Sequence, residues 1–169
     1  MTPQREEIWK LMLKWANLLK LQDASVLDVG IAGDPIIPGA HTRSEKYQWF
    51  GEGNNFETLD NDPAWQPDKV GDICVAPYPV DNFDLVILSE TLEHIFDFKL
   101  ALSECCRILK PGGHLIITTP WLVDQHPTET TADYWRFSQQ AYEKLLPEAG
   151  FAIREFYSSQ LIKGVLCWK

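Results

Sequence analysis

Residues 83–120 read FDLVILSETLEHIFDFKLALSECCRILKPGGHLIITTP, and this stretch decides the fold class. Phe83–Ser89 and His114–Thr119 are short, nearly continuous apolar runs, the pattern of strands buried on both faces. Between them, Leu92–Leu109 carries a mostly helical pattern, stopped by the breaker cluster Lys110-Pro111-Gly112-Gly113. Buried strand, helix and buried strand in that order predict two parallel strands joined by a crossover helix.

Working outward, the pattern repeats. Upstream, Ser25–Gly30 reads as a buried strand ending in glycine, Phe56–Asp60 as a short strand ending on an acid, and Lys69–Cys74 as a short third strand. Residues 34–53 read as irregular, with Pro35, Pro38, Gly39, Gly51 and Gly53, and a helical segment around Ser44–Phe50. Residues 3–20 predict an amphipathic helix, because Ile8, Leu11, Met12, Trp15 and Leu19 recur on one face. Its expected place is against the domain body, with cofactor cover as the lesser reading. Downstream, Gln139–Ala149 reads as a helix ended by Gly150. The strands at Phe151–Tyr157 and Leu161–Trp168 are too close for a helical crossover, so they are expected to be antiparallel. The expected architecture is α/β: a doubly wound, mostly parallel, Rossmann-like seven-stranded sheet with an antiparallel C-terminal strand and an N-terminal helix. One domain is expected over residues 1–169, with the helix in 1–22 and the core in 24–169.

Composition narrows the function. The chain has 169 residues, 45% hydrophobic, with a net charge of −9, so a phosphate backbone is a poor partner. No apolar run approaches the ~20 residues of a membrane span, and the charged start (Arg5, Glu6, Glu7) does not read as a signal peptide. The four cysteines form no C-x-x-C pair and no metal-ligand spacing, which predicts a reducing, cytoplasmic setting and no metal.

In such a sheet, ligands bind at the carboxyl ends of the strands, and the chemically informative residues fall there. Asp28-Val29-Gly30-Ile31-Ala32-Gly33-Asp34 lets the backbone turn sharply beside a ligand. Asp34, Pro35 and Pro38 disfavour a pyrophosphate, whereas Asp28 and Asp34 suit an ammonium or sulfonium. Asp60, with Asp62 beside it, can accept ribose hydroxyls. Asp72-Ile73 suits an adenine, the acid for its amine and the apolar side chain for its face. Ser89-Glu90-Thr91-Leu92-Glu93-His94 is the expected floor of the site, and 121–138 a polar and aromatic loop above it. Trp135 and Phe137 read there as anchors into the core. Arg136 either pairs with Asp133 or meets an anionic substrate.

As an ordered set, VLDVGIAG, ETLDND, VGDI, DNFDLVILSETLEHI, ALSECCRILKPGGHLIITTP and HPTETTADYWRFSQQAYEKLLPEAGF resemble the class I S-adenosylmethionine-dependent methyltransferases, closest to the branch called methyltransferase type 11. The resemblance covers roughly residues 24–157. It implies S-adenosylmethionine as cofactor and S-adenosylhomocysteine as product. Gly30, Ala32 and Gly33 would hold the methionine part, Asp60 the ribose, Asp72 and Ile73 the adenine, and Ser89 would lie by the methyl group. Ala32 and Asp34 replace two of the usual glycines, and Pro35 and Pro38 shorten or break the usual first helix.

The chemistry implied is in-line methyl transfer to a small molecule, through oxygen or nitrogen more than carbon. His126 is the first candidate for a base, with Asp133 and Tyr134 behind it. His94, Trp121 and Arg136 are candidates for substrate binding. So short a chain leaves room for a homodimer or partner subunit to complete the pocket. Two alternatives stay open at this point: a non-catalytic cofactor-binding or partner subunit, and a nucleotide-dependent oxidoreductase. The second is disfavoured because Gly30 and Asp60 stand 30 residues apart, against the ~20 typical of the dinucleotide motif.

Overall fold

A computed structural model describes residues 2–31, 47–127 and 131–169. In chain order the main elements are α1 (Pro3–Leu19), β1 (Ser25–Val29), β2 (Asn55–Asp60), β3 (Lys69–Val70), β4 (Phe83–Ser89), α2 (Phe98–Ile108), β5 (Leu109–Pro120), α3 (Gln139–Glu148), β6 (Ala152–Ser158) and β7 (Ile162–Trp168). The strands form one sheet in the order β3-β2-β1-β4-β5-β7-β6. Strands β3, β2, β1, β4 and β5 pair in parallel, and β7 runs antiparallel to both β5 and β6. The winding reverses between β1 and β4, which is where such sheets open a crevice for a ligand.

Two apolar layers cover the sheet. On one face, Leu27, Val29, Val86, Leu88, Leu115 and Ile117 pack with Ala101, Leu102 and Cys105 of α2 and Tyr142 and Leu146 of α3. On the other, Val26, Leu85, Ile87 and Ile116 pack against Leu11, Met12, Trp15 and Ala16 of α1. Helix α1 starts where the Thr2 hydroxyl accepts from the Arg5 amide, with Pro3 in its first turn. It lies close on β7, where a Cβ on Gly164 would stand 2.6 Å from Leu11 Cδ2 and 2.9 Å from Trp15. Trp15 is fully buried, and its indole N–H donates to Glu155 Oε1 at 3.0 Å.

Three expectations on element bounds need correction. The third strand stops at Val70, because the Asp72 carboxylate accepts from the Cys74 amide and turns Ile73–Val75 into a 3-10 turn. The helix expected from Leu92 begins at Phe98, after a separate 3-10 turn at Leu92–His94. The Glu93 carbonyl there accepts from the Tyr134 and Trp135 amides instead of continuing a helix. Lys110–Gly113 does not separate two elements. It bulges within β5, between the pairs Phe83–Leu109 and Leu85–His114. Of the segment at Ser44–Phe50, Tyr47–Trp49 is helical. Ala32, Gly33, Asp34, Pro35 and Pro38 lie outside the described residues.

Candidate active site

The carboxyl ends of β1, β2, β4 and β5 converge on one edge of the sheet, and most of the expected site residues meet there. Strand β1 delivers Gly30 in a left-handed conformation (φ 74°), its amide donating to the Leu59 carbonyl at 2.9 Å. The next amide, Ile31, donates to Asp60 Oδ2 at 2.8 Å, and the Asp62 amide donates to Asp60 Oδ1 at 2.9 Å. Asp60, only 6% exposed, therefore ties the glycine turn to the end of β2. Each of its oxygens keeps a second lone pair for a ligand hydroxyl. Asp62 is half-buried and caps a short 3-10 turn through the Ala64 amide. Asp28 is buried and accepts from the Tyr47 hydroxyl at 3.1 Å, which ties Tyr47 to β1.

Asp72 is exposed at the third strand's end, while Ile73 is buried in the core. Ile73 thus offers little surface to an adenine, and Asp72 carries that expectation. Arg107 of α2 locks the segment that follows by donating to the Ala76 carbonyl at 2.9 Å and the Tyr78 carbonyl at 2.8 Å.

Ser89, at the end of β4, shares a 3.1 Å hydrogen bond with the Thr118 hydroxyl of β5. The chain then turns through Glu90 in the left-handed region (φ 53°), unusual for a residue with a Cβ. Thr91 donates from Oγ1 to the Val29 carbonyl at 2.9 Å, which fixes the end of β4 to the end of β1. Gln4, at the start of α1, donates to Glu90 Oε2 at 2.6 Å. The N-terminal helix therefore packs on the sheet, as expected, and also reaches the site.

Glu93 is fully buried, and neither of its carboxylate oxygens has a hydrogen-bond partner. Burial, then repulsion from Glu90, pushes its pKa well above the usual carboxylate range. Burial also raises Glu90, to about 7, against hydrogen bonds to Thr118 and Gln4 that lower it. His94 lies 3.6 Å by Nε2 from Glu93 Oε1, and its Nδ1 meets the Ala132 carbonyl at 2.6 Å. Burial lowers the His94 pKa. The His126 ring stands edge-on to His94, centroids 5.3 Å apart. Ligating atoms of Glu93, His94 and His126 all lie within 4.8 Å of one another.

The loop above this cluster is held by Asp133 and Arg136. The pair is bidentate, with Nη1 to Oδ1 and Nη2 to Oδ2. The Arg136 hydrogen bond draws the Asp133 pKa down to about 2, outweighing the opposing effect of burial. Arg136 also donates to the carbonyls of Trp135 and Val123. Both of its Nη groups are committed to its own loop, which corrects the expectation of an anion-binding arginine in favour of the pairing with Asp133. Asp133 also accepts from the His126 amide at 3.0 Å and lies 3.3 Å from His126 Nδ1. Tyr134 is 49% exposed, with its ring edge-on to Phe96, and is held through its backbone. Trp121 is half-buried, under the Lys163 ammonium at 4.7 Å. Trp135 and Phe137 anchor the loop into the core as expected.

Gln4 has no role in the sequence reading, and Glu90, Thr91 and Glu93 enter it only as part of the expected floor of the site, with no individual role. The signal available was two acids within the E-x-x-E-H run directly after the strongest strand, where burial is hard to avoid.

A family described as methyltransferase domain matches residues 54–117. A probable S-adenosylmethionine-dependent methyltransferase of Mycolicibacterium smegmatis is 30% identical over 89 residues, covering 50% of this chain and 35% of the relative. The human mitochondrial ubiquinone biosynthesis O-methyltransferase is 51% identical over 39 residues, 23% of this chain and 11% of its own length. The chain thus spans well under half the length of these curated relatives. Among solved structures, a SAM-dependent methyltransferase from Aquifex aeolicus superposes with a TM-score of 0.72 at 17% identity, covering 99% of this chain and 93% of that one. The 1,6-didemethyltoxoflavin-N1-methyltransferase of Burkholderia thailandensis, solved with bound 1,6-didemethyltoxoflavin and S-adenosylhomocysteine, has a TM-score of 0.71 at 14% identity, covering 96% of this chain and 78% of that one.

Proposed function

We propose that this chain, which belongs by fold and by its matched segment with the class I S-adenosylmethionine-dependent methyltransferases, transfers the cofactor's methyl group to a small molecule bound beyond the carboxyl end of β4. The observation that carries this reading is the joint between Ile31 and Asp60. It sets a left-handed glycine turn beside a buried carboxylate at the reversal of strand order. That juxtaposition suits a ligand with a vicinal diol at one end and a cationic amino acid at the other.

In this reading Asp60 accepts the ribose hydroxyls, with Asp62 beside it, and Asp72 takes the adenine amine. Gly30, with Ala32 and Gly33 next in sequence, receives the methionine part, and Ser89 lies by the methyl group. The sulfonium is already activated, so the protein's main task is alignment. The acceptor's lone pair forms the new bond to the methyl carbon, the carbon–sulfur bond breaks, and its electron pair returns to sulfur. An oxygen acceptor must also lose a proton. The groups gathered at that end of the sheet are Glu93, His94 and His126, with Asp133 holding the last. His94 and Trp121 border the acceptor space, and Tyr134 lies at its exposed rim.

The acidic balance of 24 Asp and Glu against 15 Lys and Arg supports a small molecule over a nucleic acid. The four unpaired thiols support a reducing, cytoplasmic compartment. No helix of the described residues is long and apolar enough to cross a membrane.

A thermal-shift comparison tests the reading. S-adenosylhomocysteine at a hundred times its dissociation constant should stabilise by about 2.7 kcal/mol, and NAD should give no shift. A shift with NAD and none with S-adenosylhomocysteine would contradict it.

A further inference from the structure

We infer that Glu93, His94 and His126 form a binding site for a divalent cation of the borderline kind, Zn2+ or Mn2+, which takes imidazole and carboxylate ligands together. Sequence spacing among the cysteines gave no metal, and this site uses none of them. It is assembled from the turn after β4 and the loop after β5.

The geometry of His94 sets the argument. Its Nδ1 lies 2.6 Å from the Ala132 carbonyl, an acceptor, so the ring proton resides there and Nε2 keeps a lone pair. That lone pair faces Glu93 Oε1 at 3.6 Å, too far for a hydrogen bond. With Glu93 ionised, two acceptors face each other inside the protein with no donor between them. Glu93 is fully buried with both oxygens unpartnered, a state that proteins do not maintain without compensation. A cation between these atoms supplies it.

His126 completes the set. A ring nitrogen of His126 and the ligating atoms of Glu93 and His94 all lie within 4.8 Å of one another, the span of donors around one ion. His126 Nδ1 lies 3.3 Å from both the Asp124 carbonyl and Asp133 Oδ2, which leaves Nε2 as the nitrogen with a free lone pair. Both imidazoles are therefore held on one nitrogen by an oxygen acceptor. That is the support ligating histidines characteristically have. Glu90 Oε1 is a further buried carboxylate oxygen without a partner in the same turn. Two histidines and a carboxylate leave coordination positions open, the arrangement of a catalytic centre and not of a closed structural one. Imidazole ligands favour Zn2+ over Ca2+.

The role of such an ion rests on the methyl-transfer reading, whereas its binding does not. An acceptor hydroxyl on an open position would be oriented beside Ser89 and would release its proton to solvent more readily. His126 would then act as a ligand, not as the acceptor's base.

The test uses the intact chain dialysed against EDTA and then into chelator-free buffer. Mn2+ binding is followed by loss of the free-ion electron paramagnetic resonance signal. The expected result is one Mn2+ per chain, displaced by equimolar Zn2+ and not by Ca2+. Glu93→Gln, His94→Ala and His126→Ala should each weaken binding at least 10-fold, and His114→Ala should not. His126 lies on an exposed loop, so its variant keeps the test valid if the buried ones fail to fold. Absence of binding up to millimolar Mn2+ would overturn the site and leave a shared proton between Glu93 and His94. Binding unchanged in the variants, or displacement by Ca2+ as readily as by Zn2+, would overturn it equally. S-adenosylhomocysteine binding on the same metal-free sample separates failure of the ion site from failure of the methyltransferase reading.

Discussion

Thr91 occupies the space that a side chain on Gly30 would need. A Cβ there would stand 2.4 Å from both Thr91 Oγ1 and Cγ2 and 2.9 Å from its Cβ. The same hydroxyl donates to the Val29 carbonyl, so the ends of β1 and β4 are held together at the point where the ligand crevice opens. Gly30→Ala should fail on two counts. Its φ of 74° is left-handed, at about 1–2 kcal/mol for an L-residue, and its methyl group would displace Thr91. A loss on the order of 3 kcal/mol is expected in denaturant unfolding. Gly30→Ala combined with Thr91→Ser should recover only part of it, because the backbone term remains.

Asp60 should separate cofactor binding from folding. Asp60→Asn keeps an acceptor for the Ile31 or Asp62 amide but loses the charge and half of its acceptor capacity. S-adenosylhomocysteine affinity should fall about 10- to 100-fold, the range for a charged hydrogen-bond partner. Denaturant unfolding should show a loss of only about 1 kcal/mol. Calorimetric titration and unfolding on the same preparation check both outcomes.

Arg107 should couple the adenine side of the site to α2. Its guanidinium is bidentate with Glu104, at 2.8 Å on both arms, while reaching the Ala76 and Tyr78 carbonyls. Arg107→Lys cannot keep all four bonds, and a loss of about 1–2 kcal/mol is expected. The arginine hydrogen bond holds the Glu104 pKa below its ordinary value of 4.5, outweighing burial. A lowered carboxylate pKa stabilises the folded state above the ordinary value and ceases to do so as pH falls through the folded value. The stability gap between wild type and Glu104→Gln should therefore be constant at neutral pH and shrink below about pH 4.5, as read by thermal unfolding across pH.

Breaking the loop clamp should cost more. The Asp133 and Arg136 side chains are 1% and 22% exposed, and their pairing fixes the segment that carries His126. Asp133→Asn should destabilise by on the order of 3 kcal/mol, because it leaves a poorly solvated guanidinium without its partner. Arg136→Met with Asp133→Leu should cost less than either single change.

The strands and helices were legible because each has one consistent period. Phe83–Ser89 and Ser25–Val29 are mostly apolar, interrupted by Asp84 and Asp28, and too rich in buried side chains for surface strands. Helix α1 repeats Leu11, Met12 and Trp15 on the face that the sheet covers. What misled was chemistry between distant segments. Glu93 lies in a locally helical pattern, but its carbonyl serves the amides of Tyr134 and Trp135, far along the chain. Asp72 redirects its strand by a local bond instead, capping the turn through the amide two residues on. Of the site, Asp60 and Ser89 were readable because strand ends face the crevice. The pairing of Asp133 with Arg136 was one of two open options, and only the packed loop decides between them. The buried acids Glu90 and Glu93 were visible as residues, but their burial depends on α1 and on the loop from β5, which no local spacing encodes.

In the proposed reading, S-adenosylmethionine binds at the carboxyl ends of β1, β2 and β4, anchored by Asp60. Isothermal titration of S-adenosylhomocysteine into the wild-type chain and into Asp60→Ala tests it most directly. One site per chain is expected in the wild type, and at least a 10-fold loss of affinity in a variant that remains folded. No heat of binding in the wild type, or equal affinity in Asp60→Ala, would contradict it.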